Sequence, residues 1–169
     1  MKTLARTLSL LLCVFSGAAC AADALVTFNV VLLQPDFVLQ ERAPDINALA
    51  GYIKAVEESG RAALIEQEQH PTSSGFIAIA VRPNQKSNVW LDFSPPLPPN
   101  VANSLVSQIR AVKPFAAHRG IVVFALKVGT WGGREVTQAT PAPAEWTAVA
   151  KKVGRPLEVG ELVDLVWGK

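Results

Sequence analysis

Cysteine is nearly absent from this 169-residue chain, which has two, Cys13 and Cys20, and a single methionine. Two thiols cannot build a multi-disulfide framework, so the disulfide-stapled class of small exported domains is excluded. Charge is scarce too: 18% of residues are Asp, Glu, Lys or Arg, against about 25% in an average globular chain. With half of the residues hydrophobic, wholesale disorder is excluded, as are collagen-like and coiled-coil compositions. Histidine is limited to His70 and His118. The apolar run at residues 8–15 is far short of the roughly 20 residues that span a bilayer as a helix, so no transmembrane span is expected. What is present is enough chain for one domain with a real core.

Residues 1–22 have the three parts of a secretory signal. Lys2 and Arg6 form a basic start, residues 8–15 an apolar centre, and residues 16–22 a run of small side chains. Cleavage is expected after Ala21 or Ala22, and the short apolar centre with its alanine-rich cut has a bacterial look. Gly17-Ala18-Ala19-Cys20 resembles a lipobox, with Gly17 where such boxes carry Leu, Val or Ile. The expected location is therefore the periplasm or the medium, with a membrane-anchored lipoprotein carrying its lipid on Cys20 as the alternative. Removing residues 1–22 takes away both cysteines and two of the 16 basic residues, which leaves 14 basic against 14 acidic. The mature chain is neutral and free of thiolates, so nucleic acid is not an expected partner.

Residues 24–33 (ALVTFNVVLL) read as a strand bounded by Gln34-Pro35-Asp36, with residues 37–39 extending it beyond the proline. Pro44 and Asp45 open a helix whose apolar face is Ile46, Leu49, Ile53 and Val56; Gly60 stops it, unless residues 61–69 continue it to His70-Pro71. Residues 75–82 and 88–93 form a hairpin about a turn at 83–86, with Val89, Leu91 and Phe93 on one face and Trp90 and Asp92 on the other. The proline-rich residues 94–99 are extended, and Asn100 caps a helix whose face is Val101, Leu105, Ile109 and Val112. Residues 120–128 are another strand, followed by a glycine-rich turn at 129–133. Residues 140–143 (TPAP) lead into two short helices, 144–153 and 157–167, divided by Gly154 and Pro156.

The organisation is thus a signal at 1–22, an α+β core at 23–140 and a helical tail at 141–169 that packs on the core. Up to residue 128 the order is strand, helix, strand, strand, helix, strand. It resembles the ferredoxin-like order (βαββαβ), which implies one antiparallel sheet with helices on one face.

Little in this chain points to catalysis. Glu66 and His70 are four residues apart, but a metal site needs three or four converging ligands and would draw on the distant His118. No metal or cofactor is expected. No Gly-x-Ser-x-Gly elbow or P-loop occurs, and the residues 129–133 lack the Lys-Ser/Thr of a phosphate loop. A triad of Ser73, His118 and Asp92 has no spacing that selects it. The better candidates are interaction residues. Trp131 and Arg134 stand in a loop expected to be flexible and are side chains typical of interface hot spots; the bland and favoured expectation for Trp131 is an indole folded back as a lid on the core. Trp90 and Asp92 share the open face of the hairpin, while Trp146 and Trp167 are expected to dock the tail. The expected function is a non-enzymatic domain that binds another envelope or secreted protein, as an accessory subunit, inhibitor or immunity factor. The alternatives are a small exported hydrolase with a dispersed site near His70, Ser73 and His118, or a small-molecule or lipid carrier with a pocket between sheet and tail.

Overall fold

The structure, a computed structural model, describes residues 22–168; the expected signal up to residue 21, Cys20 included, lies outside the described residues. The first strand, β1 (Val26–Leu32), stops where Pro35 removes a backbone donor. Gln34 continues the ladder with its side chain: its Nε2 donates to the Ile121 carbonyl and its Oε1 accepts from the Val123 amide, at 3.1 and 3.0 Å. The strand extension expected at residues 37–39 is not formed. These residues lie in a short helix, α1 (Asp36–Arg42), because the Pro35 carbonyl accepts from the amides of Val38 and Leu39 and Leu39 gains a place in the core. Asp36 in its first turn and Arg42 in its last suit the helix dipole.

The second helix, α2 (Ile46–Ile65), starts as the sequence suggests, with the Asp45 carboxylate accepting from the amides of Asn47 and Ala48. Its buried stripe runs through Leu49, Tyr52, Val56, Gly60, Ala63 and Leu64, whereas Ile46 is 65% exposed. Gly60 does not stop the helix. It lets the neighbouring elements come close, since a Cβ there would lie 3.2 Å from Leu25 and 3.4 Å from Leu105. The hairpin of β2 (Ser73–Arg82) and β3 (Lys86–Ser94) closes through residues 83–85. Gln85 lies at φ 56° and its amide donates to the Arg82 carbonyl, an arrangement found in three-residue hairpin loops. Next comes α3 (Pro99–Ala111), where Asn100 proves to be inside the first turn rather than its cap. Pro98 and Pro99 supply the start instead, with a φ already suited to a helix. Val101, Leu105 and Ile109 are buried as expected, while Val112 lies just past the helix end.

The last strand, β4 (Val122–Thr130), inserts between β1 and β2, so the sheet order is β1-β4-β2-β3 with every neighbouring pair antiparallel. The fold is therefore α+β with a four-stranded antiparallel sheet. Apart from the additional α1, the elements follow in the expected order, but the sheet order does not establish a ferredoxin-like arrangement. The central strands β2 and β4 are apolar on both sides. Ile77, Ile79, Val81, Val122, Phe124, Leu126 and Val128 face α2 and α3. Phe76, Ala78, Ala80, Val123 and Ala125 face the opposite way, onto the tail helices α4 (Ala144–Val153) and α5 (Val159–Trp167). Helices thus cover both faces of the sheet. Strands apolar on both sides need that second layer, and the tail provides it. Among the described residues no helix is long and apolar enough to cross a membrane.

Tyr52 is the chain's one tyrosine. It is buried, with its ring edge-on to Phe115 and Phe124 at 5.8 and 6.2 Å between centroids. Burial pushes its phenol above the ordinary value of 10.0. The neutral form is held in the fold while the unfolded chain ionises normally, so the stability tied to this group is complete below pH 10 and declines above it. The melting temperature of the native protein is expected to fall behind that of Tyr52→Phe once the pH exceeds about 10. A difference that stays constant from pH 8 to pH 11 would show that the phenol ionises as freely in the fold as outside it.

Candidate binding corner at the end of the central strand

At Thr130 the chain leaves β4 through a tight turn. Trp131 and Gly132 both have positive φ, 41° and 85°, and the Gly133 amide donates to the Thr130 carbonyl at 2.9 Å. Two positive φ values within one four-residue turn are the mark of type I′ geometry, which favours Asn-Gly. A tryptophan at the first of these positions is strained, and strain of this kind concentrates at functional sites.

Three hydroxyls hold the turn in place. The Thr72 Oγ1 donates to the Trp131 carbonyl at 2.9 Å. Thr130, fully buried, donates its Oγ1 to the Pro71 carbonyl at 2.9 Å and accepts from the Ser73 amide at 3.2 Å. The Ser73 Oγ donates to the Pro95 carbonyl. Gly133 then lies so close to Ser73 and Ser74 that a side chain there would overlap both. The turn expected to be flexible is therefore strapped on several sides.

On this strapped turn the Trp131 indole is half-buried against the core and stacked on His70, with centroids 5.1 Å apart and planes inclined by 21°. His70 is exposed and its Nε2 donates to the Gln67 carbonyl at 3.0 Å, which orients the ring. Arg134 follows within three residues and is exposed. Ala22, the first described residue, is also here: its Cβ lies 3.7 Å from where a Cβ on Gly132 would be. The corner offers a planar aromatic pair, a guanidinium and a fixed backbone.

Trp90 and Asp92 belong elsewhere. Trp90 is only 6% exposed and lies under the tail, edge-on to Trp146 and Trp167 at 5.5 and 6.3 Å. Its Nε1 donates to the Glu145 carboxylate at 2.7 Å. The Asp92 carboxylate accepts from the Ala142 amide at 2.7 Å and from the Gln138 side chain at 3.3 Å. The face expected to be open is covered, and these two residues fasten the tail to the hairpin.

The dispersed hydrolytic set does not converge. Ser73 pairs with Thr130 at one end of β4 and shares that end with His70, but His118 precedes the other end, about 27 Å of strand away. The Ser73 hydroxyl is engaged by Pro95. Among the described residues no three His, Asp or Glu side chains are grouped to hold a metal ion. No family model, curated protein or solved structure matches the chain.

Proposed function

We propose that the mature chain is an exported, non-enzymatic binding domain of the bacterial envelope that docks a partner protein through the Trp131 corner, as an accessory subunit, inhibitor or immunity factor. The observation that carries this reading is the His70–Trp131 stack on a turn strapped by Thr72, Ser73 and Thr130. A preorganised aromatic anchor avoids the ordering cost that a mobile loop would bear on binding. Trp and Arg are also the side chains most often found at the energetic centre of interfaces. Export rests on the basic, apolar and small-residue segments of residues 1–22. The soluble periplasmic form is the one proposed, with a form lipidated on Cys20 as the alternative.

The test is co-purification of the mature protein from native envelope extract, with Trp131→Ala and Ile46→Ala compared. Ile46 is exposed and lies at the first turn of α2, away from the corner. A stoichiometric partner should be retained by Ile46→Ala and bound about 30-fold more weakly by Trp131→Ala, the factor that corresponds to a hot-spot loss of ~2 kcal/mol. A partner held equally by both variants would remove the corner from the account. Recovery of no partner at all would contradict the binding reading itself.

A further inference from the structure

At the opposite end of β4 from Trp131, α1, residues 119–121 and the first turn of α5 enclose an open cavity of about 570 Å³. That volume is within the range of small-molecule sites. Its charges are divided between two walls. Arg42 and Arg119 stand on the core side, while Glu158, Glu161 and Asp164 stand on or just before α5. Three of the five are committed elsewhere: Arg119 to Glu41, Glu161 to Arg155 and Asp164 to Arg82. Among the described residues, Arg42 and Glu158 have no ionic partner, although they line the same cavity.

Arg42 is held rather than free. Its Nη1 donates to the Ile121 carbonyl at 2.9 Å. Two glycines make room for the rest of the group: a Cβ at Gly120 would lie 2.9 Å from its Nε, and one at Gly160 would lie 3.3 Å from its Nη1. A guanidinium has five N–H donors, so one carbonyl leaves most of them unused. A ligand with anionic charge alone would meet the unpaired Glu158 here, and one with cationic charge alone would meet the unpaired Arg42.

We propose that this cavity binds a small zwitterion, a free amino acid with an apolar side chain. Its carboxylate lies on Arg42, its ammonium on Glu158, and its side chain against Pro35, Phe37 and Val38. This site is independent of the Trp131 corner and goes beyond the docking reading.

The test is calorimetric titration of the mature protein with three probes: L-leucine, leucinamide, which lacks the carboxylate, and N-acetyl-leucine, which lacks the ammonium. Leucine should bind saturably, and each analogue at least about tenfold more weakly, since each loses a charge-assisted hydrogen bond. Glu158→Gln, at an exposed position, should erase the preference for leucine over N-acetyl-leucine while keeping the preference over leucinamide. Arg42→Met should do the reverse. Because Arg42 also ties α1 to Ile121, just before β4, its variant is read only beside an unchanged melting curve, and the Glu158→Gln comparison stands without it. No heat with leucine at millimolar concentration, equal binding of all three probes, or full discrimination retained in Glu158→Gln would each overturn the proposal.

Discussion

Trp146→Ala is expected to destabilise the protein by about 3–5 kcal/mol, the range for emptying a large aromatic site in a core. Trp146 is 4% exposed and is the one residue that α4 buries. It stands edge-on to Trp90 and belongs to the cluster that holds Trp167, Val163, Phe76, Ala78, Ala80 and Ala125. Trp90 is itself held edge-on to Trp167 and by its hydrogen bond to Glu145, so the space that truncation would leave is not readily filled. The two polar fasteners, Trp90 to Glu145 and Asp92 to Ala142, lie at the start of α4 and just before it. They are exposed to solvent at least in part and replace little of the lost burial. Urea titration followed by far-UV circular dichroism measures the loss, and cleavage at residues 138–143 in limited proteolysis reports undocking of the tail. A loss below about 1 kcal/mol would mean that the second face of the sheet is not a core.

Gly133→Ala is expected to be nearly as damaging, at roughly 3 kcal/mol, and to abolish partner binding with it. The added methyl would overlap the Ser73 carbonyl, a backbone atom of β2 that cannot withdraw, and would also meet the Ser74 hydroxyl. Ser73 is paired to Thr130 and its hydroxyl is engaged by Pro95. Gly51→Ala is the matching control in α2, where nothing lies within 4 Å of the new methyl. It should raise stability by about 0.5–1 kcal/mol, the ordinary gain from exchanging glycine for alanine in a helix. Thermal melts of the two variants beside the native protein decide the matter. A Gly133→Ala protein as stable as the native one, with Trp131 fluorescence unchanged, would show that the turn is loosely held after all.

The elements that could be read along the chain are those whose burial pattern is locally written. Residues 75–82 are apolar at nearly every position and form a central strand, and the alternation of Val89, Leu91 and Phe93 with Trp90 and Asp92 does separate two faces of β3. Where local and tertiary preferences diverge, the reading fails. Residues 37–39 have the apolar character of a strand, but Pro35 and the core position of Leu39 make them helical. Gly60 looks like a helix stop until Leu25 and Leu105 are brought against it. The insertion of β4 between β1 and β2 has no local signature, because it depends on which strand edges are free once both hairpin strands are placed. The alanines of β2 and β4 give no hint that a second helical layer covers them.

The Trp131 corner divides in the same way. Trp131 and Arg134 are conspicuous in the sequence because a large aromatic and a guanidinium stand among glycines. What the sequence conceals is the rigidity of the turn. Its straps come from Thr72, Ser73 and Thr130, and its stacking partner, His70, is 61 residues earlier in the chain. Hydroxyl residues before a strand usually cap or turn the chain, and nothing in their spacing announces a contact across the sheet. Trp90 and Asp92 show the opposite case: the alternation that singles them out is real, but the tail that buries them lies about 50 residues further on.

The central claim, that Trp131 contacts a partner protein, is tested most directly by placing an aromatic photo-crosslinking amino acid at position 131, which keeps a ring on the turn, and illuminating intact cells. A matching probe at position 46 serves as the reference, since that side chain is exposed at the start of α2. The account predicts one discrete protein adduct from position 131 and none of the same mass from position 46. No adduct at 131, or the same adduct from both positions, would contradict it.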